Sequence, residues 1–254
     1  MNPMLRYAIT DRSQLHPAAP GASAQAHLAT SNEIPAEIPD EIPAETRLLL
    51  ALLDHTAHWA RQRVDYIQIR EKDLPAATLL TLARRMRSLV RDSGSPTRLL
   101  LNGRPDIALA AGLDGVHLPS GREALTPTQI RALFPSHPPP IVSVSCHTLE
   151  EVEAAASVAD LILFGPVFGK TIPSHLAGLA GHQTTLPGTG LDTTLPGVGL
   201  ATTLPGVGLE ALRAACTLAR GTPVLALGGI TLQNTPGCLQ AGAAGIAAIR
   251  LFLT

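Results

Sequence analysis

Polar and apolar positions alternate along this chain with two periods that take turns. Short β-branched and aliphatic runs at residues 7–10, 65–72, 98–102, 115–118, 141–145, 161–164, 223–227 and 245–249 read as eight strands. Segments with helical spacing lie between them, at 47–63, 76–93, 106–111, 127–134, 149–159, 209–220 and 232–242; the first places Leu48, Leu52, His55 and Trp59 on one stripe. Strict alternation predicts parallel strands joined by right-handed crossovers. Eight such strands predict closure into an α/β fold of the (β/α)8 TIM-barrel type, with a doubly wound open sheet as the alternative. The chain stops at Thr254, soon after the eighth strand. The last helix is therefore expected to be truncated, and that flank to be covered by another segment or by a second subunit, for which a homodimer is an ordinary solution.

Two stretches break the alternation. Residues 13–45 are rich in Pro, Ala and Ser and contain Glu33-Ile-Pro-Ala, Glu37-Ile-Pro-Asp and Glu41-Ile-Pro-Ala. Proline in every unit forbids a helix and spoils a strand ladder, so an extended or disordered insertion is expected. A second insertion, at about 172–208, carries a nine-residue unit three times, starting at Thr184, Thr193 and Thr202, each with a Pro-Gly turn. It reads as a flexible loop, with a lid over the barrel mouth as the functional alternative. The whole chain, 1–254, is then one domain with two flexible insertions.

Composition narrows the class. At 254 residues the chain has the size of one barrel, and with 45% apolar but only 3% aromatic residues its core must be built from Leu, Ile, Val and Ala. A net charge of -1 argues against nucleic acid or an anionic membrane surface as partner. Cys146, Cys216 and Cys238 lack disulfide or zinc spacing and read as buried thiols of a reducing compartment. No signal-peptide core and no long apolar run follows the first residues, so a soluble cytoplasmic protein is expected.

Strand phase then picks out chemistry. Thr148 and Glu151 form a capping-box pattern, which puts His147 at the carboxyl end of the fifth strand; Ser143, Ser145 and His147 share one face and Val142, Val144 and Cys146 the other. Tyr66, Gln68 and Arg70 likewise share a face. A lone histidine in such a place usually only hydrogen-bonds near the helix start. In a barrel, however, the carboxyl ends of all strands converge on one mouth, and here they carry Asp11, Arg70 and Lys72, Asn102 and Arg104, His117, Ser145 and His147, then Gly228 and Gly229. Backbone N–H groups of a Gly-Gly turn leading into a helix near Leu232 can cradle an anion. Three cations on the same rim point to a small phosphorylated, acidic substrate. Cys146, facing the helices, reads as a structural thiol rather than a nucleophile.

Taken together, Gln68-Ile-Arg-Glu-Lys72, Asn102 with Asp106-Ile-Ala-Leu-Ala110, Asp114-Gly-Val-His117, Ser145 with His147, Gly165-Pro-Val-Phe168 and Gly228-Gly-Ile-Thr231 resemble the thiamin phosphate synthase/TenI superfamily. The resemblance implies one of two chemistries. A synthase couples a pyrimidine pyrophosphate to a thiazole phosphate with Mg2+ held by two aspartates, one directly after Asn102 and one just beyond Leu118. This sequence has Gly103 at the first place and Pro119-Ser-Gly121 around the second, with Glu123 nearby. Asn102-Gly-Arg104, Leu118-Pro-Ser-Gly121, Gln129-Ile-Arg-Ala132 and His147 before Leu149-Glu-Glu151 are similar instead to the thiazole tautomerase branch, which aromatises a carboxythiazole phosphate without metal or other cofactor. Pro166, by contrast, matches the synthases.

The expectation is therefore a tautomerase. His147 is its general acid/base; Gln68, Arg70, Lys72, Asn102, His117 and Ser145 bind the substrate; Gly228, Gly229 and Arg250 bind its phosphate, Arg250 standing where the family usually has serine. The partner is a small phosphorylated thiazole, and no metal is expected. The alternatives are the Mg2+-dependent synthase and a non-catalytic thiazole-phosphate binding or regulatory protein.

Overall fold

The computed structural model of the chain describes residues 3–15, 43–121, 125–134, 139–172 and 202–253. Its elements run β1 (Leu5–Ile9), a 3-10 turn (Arg12–Gln14), α1 (Ala44–Arg61), β2 (Tyr66–Ile69), α2 (Ala76–Asp92), β3 (Arg98–Asn102), α3 (Pro105–Ala111), β4 (Gly115–Leu118), α4 (Pro127–Leu133), β5 (Ile141–Cys146), α5 (Leu149–Ala155) and β6 (Leu161–Phe164). There follow β7 (Lys170–Ile172), β8 (Thr202–Leu204), α6 (Gly208–Leu218), β9 (Val224–Leu227), α7 (Thr235–Gln240), β10 (Gly245–Ala248) and a 3-10 turn at Arg250–Phe252. β1 to β6, β9 and β10 close into a parallel barrel in the order β1-β10-β9-β6-β5-β4-β3-β2. The predicted (β/α)8 architecture is therefore the observed one.

The strand alternation sorts side chains into two cores. Outward residues such as Ile67, Ile69, Leu99, Leu101, Val142 and Ile162 pack under the helices. Inward residues Tyr7, Ile9, Leu100, Leu161, Leu163, Leu225 and Ala247 fill the barrel. The interior is two-sided. β6, β9, β10 and β1 line it mainly with aliphatic groups, whereas β2, β3, β4 and β5, adjacent in the barrel, contribute Gln68, Asn102, His117 and Ser143 with Ser145.

After β10 the chain forms only a 3-10 turn, and no helix follows it among the described residues. The Trp59 indole of α1 donates to the carbonyl of Phe252 over 2.5 Å, pinning this turn against the first helix. Phe252 and Leu253 pack on the outer core, and Ala8 and Ile246 on the β1/β10 flank are at most 2% exposed.

The boundaries of the two insertions shift. Ser13 and Gln14 belong to a 3-10 turn capped by Asp11, Leu15 is buried in the core, and α1 starts at Ala44, so the uncharacterised part of the first insertion is 16–42, outside the described residues. In the second, β7 pairs antiparallel with β8, Lys170 opposite Leu204 and Ile172 opposite Thr202. The third nine-residue unit is thus not loop throughout: it opens as a strand and its last residues enter α6. The first two units lie outside the described residues. α7 begins at Thr235, three residues later than the sequence pattern implies, because Asn234 ties itself to the loop: its Oδ1 accepts from Thr231 N–H (2.9 Å) and its Nδ2 donates to the Gly229 carbonyl (2.9 Å). Side chains that satisfy nearby backbone groups in this way compete with helix formation.

Candidate active site

The rim positions named from the sequence follow or end barrel strands, except His117 and Ser145, which are the penultimate residues of β4 and β5. The capping box at α5 is formed: Thr148 accepts from Glu151 N–H, and the Glu151 carboxylate reaches back to Thr148 N–H and to His147 N–H. That geometry stops β5 at Cys146 and leaves the His147 ring exposed at the strand end. Its Nδ1 is hydrogen-bonded to the backbone carbonyl of Gly165, at the end of neighbouring β6. A carbonyl only accepts, so Nδ1 carries the proton and Nε2 is left to act as the base.

Cys146 turns the other way. It is 2% exposed in the outer core, and burial, with a smaller contribution from Glu151, pushes its thiol up to about 12. A thiol held protonated has no nucleophilic role.

Gln68, Asn102, His117 and Ser145 form one contiguous patch. The Gln68 amide donates to Asn102 Oδ1 (3.0 Å), Asn102 is the register partner of His117, and His117 Nε2 contacts Ser145 Oγ (2.9 Å). His117 sits below the rim, 2% exposed, with Nδ1 against Ser143 Oγ (2.8 Å). Burial and, secondarily, the Arg70 charge lower its pKa to about 3, so it is neutral. Gln68 Oε1 is buried and has no partner among the described residues.

The cations separate into two kinds. Arg104 is engaged by Asp106 in a two-point contact (3.0 and 2.7 Å), and its charge is largely spoken for. Among the described residues no carboxylate pairs with Arg70, Lys72 or Arg250. Arg70 is fixed through its backbone, whose N–H donates to Thr10 Oγ1 (2.8 Å). Proximity of the Arg70 charge, and then burial, lowers the Lys72 pKa, as two cations held near one site require. Lys72, Glu71, Asn102, Gly103 and Arg104 help line a cleft of about 240 Å³ between the ends of β2 and β3.

Gly228 and Gly229 adopt φ +91° and +64°. A Cβ on Gly228 would meet the Pro166 Cβ at 2.5 Å, and one on Gly229 the Phe168 Cβ at 2.7 Å, so the β9 loop folds tightly against the β6 loop. The expected helix start at Leu232 is absent, Leu232 being 75% exposed in a loop. The backbone N–H groups of the turn remain as donors, but a helix terminus directly behind them does not support them. Arg250 opens the turn after β10 and is exposed; β9 and β10 are neighbours, so the glycine pair and Arg250 follow adjacent strand ends.

Comparison with known proteins settles the family. The model of the family described as thiamine monophosphate synthase matches residues 43–186 and 201–252. The chain belongs to the thiamin phosphate synthase/TenI superfamily. It is 42% identical over 184 residues to a putative thiamine-phosphate synthase of Geobacter sulfurreducens, covering 72% of this chain and 70% of that one. It is 33% identical over 207 residues to the thiamine-phosphate synthase of Thermus thermophilus, covering 81% and 82%. The thiamine phosphate pyrophosphorylase structure from Pyrococcus furiosus superposes with a TM-score of 0.62 at 22% identity over 99% of this chain and 88% of that one, a likeness of fold.

The superfamily resemblance implies Mg2+ ligands at two places. Gly103 has φ +65° and its N–H donates to the His117 carbonyl (2.9 Å); the other place is Pro119-Ser-Gly121. Neither offers a carboxylate, no cluster of three or more metal-binding side chains occurs among the described residues, and Glu123 lies outside them. The residues described do not fit a two-aspartate Mg2+ site.

Sequence reasoning missed Tyr7 and Arg12, and placed Ser143 on the inward face without giving it a role. Tyr7 and Ser143 extend the His117 contacts into the barrel, with Tyr7 Oη 2.9 Å from Ser143 Oγ. Arg12 binds the buried Glu71 (3.0 Å) and Asp73 (2.6 and 2.7 Å), locking the β1 and β2 loops together. Strand phase could have identified Tyr7; nothing local marks Arg12, whose hydrogen-bonded carboxylates Glu71 and Asp73 lie 59 and 61 residues away.

Proposed function

We propose that this chain acts in thiamin biosynthesis as a thiamin-phosphate synthase, joining a pyrimidine diphosphate to a thiazole phosphate. One C–N bond forms, and diphosphate departs with the electrons of the broken C–O bond. The observation that carries this reading is that relatives 33 to 42% identical over 70 to 82% of their length bear that name. The rim supports it as an anion site: Arg70 and Lys72, without a carboxylate partner among the described residues, and the Asn102 amide would serve as donors to a diphosphate, and the Gly228-Gly229 turn with Arg250 would suit the thiazole phosphate.

A second reading, thiazole tautomerase, has its own support. Gly103 and Pro119-Ser-Gly121 supply no carboxylate for a metal, while His147, with its proton fixed on Nδ1, presents Nε2 as a base for a 1,3-proton shift.

The two part in one experiment. The purified protein is given thiazole phosphate with pyrimidine diphosphate, with and without Mg2+, and separately the unaromatised carboxythiazole phosphate. Release of diphosphate with formation of thiamin phosphate supports the synthase. Aromatisation without coupling replaces it with the tautomerase, and binding with neither product rejects both.

A further inference from the structure

A file of polar groups runs through the barrel interior from Tyr7 to Ser145, and the roles given above to His117 and Ser145 leave its internal order open. Tyr7 Oη lies 2.9 Å from Ser143 Oγ, Ser143 Oγ 2.8 Å from His117 Nδ1, and His117 Nε2 2.9 Å from Ser145 Oγ. Tyr7 and Ser143 are fully buried, His117 is 2% exposed, and Ser145, the last inward residue of β5, is half-buried towards the mouth. A neutral imidazole has one donor and one acceptor nitrogen. The direction of every hydrogen bond in the file therefore follows from which nitrogen holds the proton.

Suppose that nitrogen is Nδ1. The three atoms Tyr7 Oη, Ser143 Oγ and His117 Nδ1 then carry a hydrogen each, and only the two oxygens can accept. Besides the near contact of Tyr7 Oη with His117 Nδ1 at 3.5 Å, these side chains have no other hydrogen-bond partner in the barrel interior among the described residues. One buried donor is left without an acceptor, which proteins avoid. If the proton is on Nε2, every group is satisfied: Tyr7 donates to Ser143, Ser143 to Nδ1, and Nε2–H to Ser145. Ser145 has then accepted from below, and its own hydrogen is directed outwards.

We propose that Tyr7, Ser143 and His117 form a one-way hydrogen-bond chain that makes Ser145 a committed donor at the barrel mouth, selecting a substrate group that only accepts there. Carbonyl, phosphoryl and carboxylate oxygens and unprotonated ring nitrogens take that hydrogen; a protonated ring nitrogen, which only donates, leaves it without an acceptor. Asn102 matches this bias, because its Oδ1 is taken by Gln68 and its Nδ2 remains to donate. Tyr7, Ser143 and His117 are positioning residues, acting through Ser145. The binding half of the inference rests on the reading of the mouth as the substrate site; the proton order does not.

The full chain labelled with 15N-histidine gives a direct test, His117 being assigned by its loss in a His117→Gln variant. Expected without substrate at pH 7 is a protonated-type signal at Nε2 and an acceptor-type signal at Nδ1; the opposite tautomer, or an imidazolium, overturns the proposal. Tyr7→Phe combined with Ser143→Ala keeps the aromatic ring and removes the two hydroxyls that face Nδ1. It should mix the two tautomers, and weaken thiazole phosphate binding about tenfold, the size of one hydrogen bond, with no further loss when added to Ser145→Ala; Tyr7→Phe alone, which leaves Ser143 to donate to Nδ1, should keep the Nε2–H tautomer. An unchanged tautomer in the double variant, even with a lowered Tm, shows that the hydroxyls do not set the proton and overturns the chain. A changed tautomer with unchanged binding keeps the chain and overturns its link to the substrate.

Discussion

His147 Nδ1 donates to the backbone carbonyl of Gly165, so the imidazole at the end of β5 is held by the end of β6 with its proton on Nδ1. The two candidate reactions load this histidine differently. A proton shift needs it as the base, and His147→Ala is expected to cost about 10²- to 10⁴-fold in turnover of the unaromatised thiazole. Coupling needs no such base, and the same variant is expected to retain most of the thiamin phosphate formation. Measuring both rates on one preparation of His147→Ala checks the assignment.

Arg12 and Glu71 give a stability prediction. The Glu71 side chain is 2% exposed, one of its oxygens receives the Arg12 guanidinium and backbone N–H, and the other has no partner among the described residues. Arg12→Ala strands a buried carboxylate and is expected to destabilise the fold by about 3 kcal/mol, seen as a lower denaturant midpoint. Adding Glu71→Gln should recover part of that loss, whereas Asp73→Asn, at an exposed carboxylate, should cost under about 1 kcal/mol.

His117 predicts how stability falls with acid. Its folded pKa is about 3, depressed by burial and then by Arg70, against an ordinary 6.5. Above pH 6.5 neither the folded nor the unfolded chain binds this proton, and His117 has no effect on the pH dependence. Between pH 6.5 and 3 only the unfolded chain binds it, so stability is expected to drop by up to about 1.4 kcal/mol per pH unit from this group. Urea melts at pH 7.5, 6 and 5 should show a shallower drop in His117→Gln than in the parent chain.

The glycine turn and Arg250 should separate fold from phosphate affinity. Gly228→Ala drives a Cβ into Pro166 at positive φ, and is expected to cost about 1 to 3 kcal/mol and to weaken phosphate-substrate binding together. Arg250 is exposed and unpaired among the described residues. Arg250→Ala should change stability by no more than about 0.5 kcal/mol while raising KM for the thiazole phosphate, as steady-state kinetics beside a thermal melt would show.

The barrel was legible because each strand announces itself by period and each helix by its stripe; Thr148 with Glu151 even fixed where β5 stops. Strand phase correctly assigned Cys146 to the helices and Ser143 with Ser145 to the interior. Pattern failed where side chains act over distance or compete with backbone. Arg12 acquires meaning only once closure brings β1 beside β2, and the start of α7 is delayed by Asn234, whose bonds to Thr231 and Gly229 a stripe of apolar residues cannot reveal. His117 looked like a rim residue because it lies close to the end of β4, but Leu118 still follows it in the strand and its register opposite Ser143 sets it a layer deeper.

The ribbon of β7 and β8 has a consequence for how this chain can vary. Ile172 and Thr202 are paired across it, so whatever lies between them leaves and returns through a single doorway one strand-spacing wide. Pairing of the two ends closes the loop at its base whatever its length. A nine-residue unit gained or lost beyond that base leaves the Ile172–Thr202 pair, and with it the run from β6 into α6, connected as before.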